Sequence, residues 1–270
     1  MPKYVHGYSE RETERLQDQS GILESILHEG TSYPPGSTVL EAGCGVGAQT
    51  LILARRSPGA RFVSVDISQE SIETSRRHAR NAGIANVMFA RHDIMDLPFP
   101  DGHFDHVFVC FVLEHLDSPA AALLALKRVL RPGGTLTAIE GDHGSCFWHP
   151  ETPDGRRVWE SFIEVQRTLG HDPNIGRRVC PLLVSAGFEL AHTSPRFVYG
   201  DAMHGRLLDG MVNRIIVPMC QTGRDRAIAH GLIDPEQWER GIADIEHTGI
   251  PPGGTFFYTW FKAVGRKAGQ

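Results

Sequence analysis

Glu41, Gly43, Gly45, Gly47 and Asp66 form the spacing in this chain that most clearly suggests chemistry. The run Val39-Leu40-Glu41-Ala42-Gly43-Cys44-Gly45-Val46-Gly47-Ala48 passes from an apolar, strand-like stretch into a glycine-rich turn and then a helix-like stretch. A turn lacking Cβ atoms lets a ligand approach the backbone, and the N–H groups opening a helix face that ligand. Asp66 lies about twenty residues on, where the carboxylate of a dinucleotide fingerprint accepts from ribose hydroxyls. Gly43-x-Gly45-x-x-Ala48 fits that fingerprint by itself. A nicotinamide-dependent oxidoreductase therefore stays open at this point, as does a tight turn with no ligand.

Histidines are the next candidates, although with 14 of them chance neighbours are expected. His143 follows Asp142 just past a strand-like run, on the side where α/β sheets place their ligands. His115 follows Glu114 at the start of a connection. A neutral imidazole with an ordinary pKa of ~6.5 suits proton abstraction, so both are candidate catalytic bases. His115, Asp142, His143 and His149 are ligand types for a metal, but their spacing matches no metal motif and no metal is expected. The five cysteines are scattered without CxxC spacing. That implies free thiols in a reducing compartment, and a cytoplasmic location is expected.

Positioning these groups requires a strand–helix alternation, and the sequence supplies one. Strands are predicted at Thr38–Ala42, Arg61–Val65, Val87–Ala90, His106–Cys110 and Thr135–Glu140, with helices at Ala48–Arg56 and Gln69–Ala82. A further helix starts at Ser118-Pro119, a capping residue followed by proline at the first helical position, and Arg131-Pro132-Gly133-Gly134 should end it. Such alternation predicts a doubly wound, Rossmann-like α/β fold with a mostly parallel sheet. Thr255–Val264 supplies the final strand. Before the first strand, residues 1–36 read as a helical lid segment, leaving 37–270 as the main domain. Two helical insertions, at about 145–176 and 200–250, flank strand ends and are expected to form a lid, with Pro218 and Asp234-Pro235 as breaks. Phe147, Trp148, Trp159 and Phe162 suggest an enclosed apolar pocket, although the last two have helical spacing that equally serves packing.

Composition narrows the function classes. The 270 residues carry a net charge of −5, which is no footprint for nucleic acid. The longest apolar run, Val107 to Leu113, is far short of the roughly 20 residues a membrane span needs. Met1–Arg15 is polar, so no secretory signal is expected. A small-molecule substrate is the partner these features allow, and oligomeric state stays open.

A second set of motifs separates the cofactor classes. His92-Asp93-Ile94 follows the third strand, Phe104–Leu116 contains the fourth strand and Val112-Leu113-Glu114-His115-Leu116, and Leu126 runs into Arg-Pro-Gly-Gly. Together with Glu41–Gly47 and Val65-Asp66, this string resembles the class I S-adenosylmethionine-dependent methyltransferases, in particular the small-molecule branch similar to ubiquinone/menaquinone-biosynthesis enzymes. The resemblance covers about residues 37–145 closely and the remainder loosely. It implies S-adenosylmethionine as cofactor and a closing antiparallel strand. Gly43 and Gly45 would leave room for the methionine half, Glu41 would face its ammonium, and Gln49 would reach its carboxylate. Asp66, with Ile67 beside it, would hold the ribose, while Asp93 and the Ile94 N–H would read the adenine. Cys110 and Phe111 would lie near the methyl-transfer point, and Tyr8, with Tyr4 and His6, could fold over the cofactor. Base methyltransferases carry Asn/Asp-Pro-Pro-aromatic after the fourth strand. This chain has Cys110-Phe111-Val112-Leu113 there. O- or N-methylation of a natural-product or quinone-like acceptor is expected, with C-methylation the alternative and non-catalytic cofactor binding a remoter one.

Overall fold

The computed structural model describes residues 10–250 and 252–269, with the side chains of residues 10–14, 17 and 18 outside the description. Tyr4, His6 and Tyr8 lie outside the described residues. The chain divides into two compact units, one of residues 27–141, 175–195 and 260–270, the other of residues 1–26, 142–174 and 196–259.

In the first unit β1 (Thr38–Ala42), β2 (Arg61–Asp66), β3 (Val87–Arg91) and β4 (Phe104–Cys110) pair in parallel, as do β4 and the start of β5 (Leu130–His149). Strands covered on both faces read as continuous apolar runs. Val39, Leu40, Val107, Phe108 and Val109 are accordingly fully buried. The helices between them are α2 (Ala48–Arg56), α3 (Gln69–Asn81), α4 (Pro119–Val129) and α6 (Val179–Ser185). Ser68 Oγ accepts from Ser71 N–H and Ser118 Oγ from Ala121 N–H, satisfying donors that a helix start leaves open. With β6 (Glu189–Gly200) and β7 (Thr255–Arg266), the sheet has seven strands in the order β3-β2-β1-β4-β5-β7-β6. It is Rossmann-like and mostly parallel, with helices on both sides. Gly133 N–H bonds to Lys267 O while Lys267 N–H bonds to Gly134 O, and further along Thr259 N–H reaches Ser145 Oγ. Residue numbers rise along β5 as they fall along its neighbour, so β7 runs antiparallel.

Two expectations about boundaries need correction. Arg131-Pro132-Gly133-Gly134 does not sit between helix and strand. The α4 helix stops at Val129 and β5 runs through those four residues, with the register shifted opposite Phe104/His106. Lys267 makes this possible, because its Nζ donates to Lys127 O and Leu130 O at the helix end while its backbone pairs with the two glycines. The same strand continues to His149, so residues 145–149 are strand rather than loop.

The second unit is helical around the ends of the long strands: α1 (Glu10–Leu27), α5 (Pro153–Thr168), α7 (Gly205–Met211), α8 (Val217–Ala229) and α9 (Pro235–Thr248). Val158, Trp159, Phe162 and Val165 make the buried stripe of α5, which packs on α8 and α9. Pro218 does not break the helical run. A π-helical turn at Val212–Ile216 precedes α8 and places the proline in its first turn, where no N–H is required. No helix among the described residues is long and apolar enough to cross a membrane.

Gly241 sets how closely α9 approaches α5, since a Cβ there would lie 2.4 Å from Asp154 O and 2.6 Å from Val158 Cγ2. Gly241→Ala gains about 1 kcal/mol of helix propensity but drives a methyl into backbone, and overpacking of this kind costs about 1–3 kcal/mol or more. Thermal and urea denaturation should therefore place the variant below wild type. A variant as stable as wild type would mean that the two helices are not held at this distance.

Candidate functional site

In a parallel sheet, the carboxyl ends of the strands share one edge, and here that edge collects nearly every residue nominated from the sequence. The Gly43–Gly47 turn leaves β1, with Gly43, Gly45 and Gly47 at φ of 74°, 52° and 83°. Each is in the left-handed region that favours glycine. Gly43 also needs its missing side chain for space, because a Cβ would lie 2.5 Å from Val112 Cγ2. Gly45 differs: a Cβ there meets nothing within 4 Å, leaving its outer side open.

The turn is tied down by the end of β2. Gly43 and Cys44 N–H both donate to Val65 O, and Gly45 N–H donates to Asp66 Oδ2 at 2.8 Å. Asp66 Oδ1 accepts from Ser68 N–H at 2.9 Å. Behind the turn, α3 takes its carbonyls: Ser75 Oγ donates to Gly45 O, and His78 Nδ1 lies 2.9 Å from Val46 O. Burial pushes the Asp66 carboxyl above its ordinary pKa. Each of its oxygens has taken one bond and keeps capacity for another, which is what a vicinal diol requires.

Glu41 sits beneath the turn, 2% exposed, its Oε2 accepting from Thr50 Oγ at 2.5 Å and Ser64 Oγ at 2.6 Å. Burial raises its pKa to about 7. Gln49 gives its amide oxygen to His28 Nε2 at 2.6 Å, leaving only the amide N–H groups for a carboxylate. Along the same edge Asp93 is exposed, with Oδ1 accepting from Met95 N–H, while Ile94 is buried and Ile67 is 41% exposed. Cys110 ends β4 as a buried residue, its thiol pushed well up by burial and by neighbouring carboxylates. Phe111 follows at φ 58°, an uncommon conformation for a bulky residue.

Glu140 is the residue that sequence reasoning missed at this edge. It is fully buried on β5, one position past the Cys110–Ile139 pair. Its Oε1 accepts from Val112 N–H at 3.0 Å and Leu113 N–H at 2.9 Å, holding the short 3₁₀ turn Leu113–His115. Burial first, then the charge of Glu114, raises its pKa. The available signal was a lone acid at the end of an apolar strand, Leu136-Thr137-Ala138-Ile139-Glu140.

The two histidine candidates have different settings. His115 ends the 3₁₀ turn with Nε2 3.4 Å from Glu114 Oε1. His143 belongs to the second unit, where its ring packs on Trp159 and Phe162 and its Nδ1 lies 2.5 Å from Tyr258 Oη. Its N–H donates to Pro173 O and its carbonyl accepts from the Trp159 indole. Burial, with Arg15 adding to it, lowers its pKa to about 3. The ring is neutral at physiological pH but a weak proton acceptor. Trp159 and Phe162 thus pack this cluster, and Trp148 lies under the Arg156 guanidinium at 4.3 Å. Phe147 does not join an enclosed pocket as expected. The strand's alternation turns it outward, 55% exposed, with its ring 6.0 Å from Phe257.

Glu41 has a consequence for stability. Between pH 4.5 and about 7 the folded protein keeps a proton on this carboxyl that the unfolded chain has lost, so the group destabilises increasingly as pH rises. His28 and His143, both depressed by burial, act oppositely: they destabilise the fold increasingly as pH falls below 6.5. Comparing Glu41→Gln with wild type isolates the acid. The variant should gain up to about 3 kcal/mol relative to wild type between pH 5 and pH 8. Denaturation midpoints that differ by a constant across this range would contradict the assignment.

Comparison with known proteins accords with this edge. The methyltransferase domain family matches residues 40–138. An uncharacterised 37.1 kDa protein in transposon TN4556 of Streptomyces fradiae is 31% identical over 218 residues, covering 80% of this chain and 59% of that protein. The ubiquinone/menaquinone biosynthesis C-methyltransferase UbiE of Ectopseudomonas mendocina is 34% identical over 130 residues, 47% of this chain and 48% of its own. The chain thus spans about half to three-fifths of the length of these curated relatives. Among solved structures, the [4+2]-cyclase SpnF superposes with a TM-score of 0.57 at 19% identity, covering 99% of this chain and 86% of that one, a likeness of fold. Strand order, glycine turn, strand-end acids and domain match agree: residues 40–138 are similar to the methyltransferase domain family, and the sheet has the Rossmann-like order of that fold.

Proposed function

We propose that the chain transfers a methyl group from S-adenosylmethionine to a small organic acceptor, at a hydroxyl or amine. The observation that carries this reading is the Gly43–Gly47 turn held open by Asp66, with space beside Gly45 and acceptor capacity left on the Asp66 carboxylate. The residues fit the cofactor: Asp66 for the ribose diol, Glu41 for the ammonium, Asp93 and Ile94 for the adenine, Gln49 N–H groups for the carboxylate, and Cys110 and Phe111 beside the reacting end. When bound, the cofactor supplies an electrophilic methyl group. The chain's own work is to fix the acceptor in line with it and to exclude water, which is where most of the rate of such a displacement comes from.

C-methylation is a second reading, favoured by the 34% identity to a quinone C-methyltransferase. Mass spectrometry of a host extract incubated with isotopically labelled S-adenosylmethionine tests both. A product heavier by one labelled CH₂, whose fragments place the label on oxygen or nitrogen, supports the first reading. A label on carbon supports the second. S-adenosylhomocysteine should raise the thermal midpoint where NAD does not. The reverse would return the glycine turn to the oxidoreductase class.

Two binding predictions follow from the geometry. Asp66→Ala should weaken S-adenosylhomocysteine by roughly 1.5–3 kcal/mol or more by calorimetry, since it removes both the diol acceptor and the anchor of Gly45. Affinity equal to wild type would reject the ribose assignment. An ammonium arriving at Glu41 favours its ionised form, so binding near pH 6 should release a proton and binding well above pH 7 should release little. Calorimetric enthalpies measured in buffers of different ionisation heat read this directly. Glu41→Gln should abolish the difference.

A further inference from the structure

Glu140 carries an inference of its own. Its two oxygens differ: Oε1 accepts from the Val112 and Leu113 N–H groups, and the Glu114 N–H also acts on the carboxylate, whereas Oε2 is buried and has no partner within hydrogen-bond distance among the described residues. A buried acceptor left unmade costs about 1–3 kcal/mol, more when charged, so an oxygen held this way is either a defect or kept for a ligand. Its location favours the second. Glu140 stands at the carboxyl edge of the sheet, next to Cys110 and the strained Phe111, and it grips the turn whose Val112 side chain packs against Gly43. We propose, building on the methyl-transfer reading above, that Glu140 is the proton acceptor of the reaction, its Oε2 taking the proton from the hydroxyl or amine that receives the methyl group.

The balance of the step is simple. As the acceptor's lone pair bonds to the methyl carbon and the carbon–sulfur pair returns to sulfur, Oε2 takes up the acceptor's proton and later yields it to water. For a phenol the proton leaves the same hydroxyl whether oxygen or an activated ring carbon receives the methyl. The groups around the carboxyl suit the task. Glu114 of the 3₁₀ turn, with His115 beside it, repels a second charge. Glu41 of β1 and Lys262 of β7 act on the shared neighbour Cys110 of β4, and Lys262 Nζ is already bonded to Glu29 O and Thr31 Oγ1. Burial and Glu114 move the Glu140 acid toward the neutral range, where a general base works best, whereas His143 is moved away from it.

Glu140→Gln keeps an oxygen for Val112 and Leu113 but cannot accept the proton, and Glu140→Ala removes both functions. The probes are S-adenosylhomocysteine for affinity, and labelled S-adenosylmethionine with 1,4-dihydroxynaphthalene or benzylamine for transfer. Rates are read from about pH 6 to about pH 9. Wild-type transfer should rise with pH and level above neutrality. Glu140→Gln should bind S-adenosylhomocysteine within about twofold of wild type while transfer falls about 10²–10⁴-fold and loses the pH rise. Glu140→Ala should lose affinity as well. The proposal is overturned if Glu140→Gln transfers at the wild-type rate with the wild-type pH dependence, or if its affinity and rate fall by the same factor, which is the mark of a holding role alone. If wild type binds S-adenosylhomocysteine but methylates neither probe, the acceptor class proposed above fails, and infrared spectroscopy then decides on Glu140. A protonated carboxyl band near neutral pH, missing in Glu140→Gln and shifted by either probe, upholds it. No such band overturns it.

Discussion

Two acceptors at the end of β2, the Val65 carbonyl and the Asp66 carboxylate, hold the glycine turn on which the remaining geometry of this edge depends. Three N–H groups of the turn point back to them, so the turn cannot relax into a wider loop. Pulled toward β2, it exposes the open side of Gly45 and brings Gly43 against Val112 at the end of β4. That contact leaves no room for a side chain at Gly43, and it links the turn to the segment Glu140 holds. The two acceptors thus fix this surface in advance, and preorganisation of this kind lowers the ordering cost of binding a ligand.

The edge is also unusual in its charge. Glu41, Glu114 and Glu140 are all buried within the first unit, against few cations, and burial favours the neutral form of each acid it perturbs. Acids arranged this way destabilise the folded chain as pH rises, a cost that a cationic ligand would offset. Buried acids with perturbed pKa values of this kind are common at functional sites. In the helical unit, by contrast, the buried His143 is held neutral by its burial among Trp159, Phe162 and Tyr258.

The likeness to the [4+2]-cyclase SpnF illustrates why the fold cannot decide the chemistry. At 19% identity it speaks for the same sheet and nothing more. Which bond is made depends on what lies at the strand ends and how protons are handled there, and at those positions burial raises the pKa of Glu140 and lowers that of His143.

Much of this arrangement is legible in the sequence because it is local. Glycines at 43, 45 and 47, an acid ending the next strand, and Ser118-Pro119 at a helix start are determined by φ, by hydrogen-bond donors and by short spacing. The class of fold follows from strand–helix alternation in the same way. What sequence could not supply depends on partners far along the chain. The Arg131–Gly134 run becomes strand because Lys267 reaches it from the last strand, and Pro218 stays in a helix because a π turn absorbs it. His143 and Glu140 lie three residues apart on one strand, and local pattern ranks the histidine first. Only the tertiary structure, by packing one ring against aromatic side chains and placing the other carboxyl between backbone N–H groups and a second acid, reverses the order of their basicity.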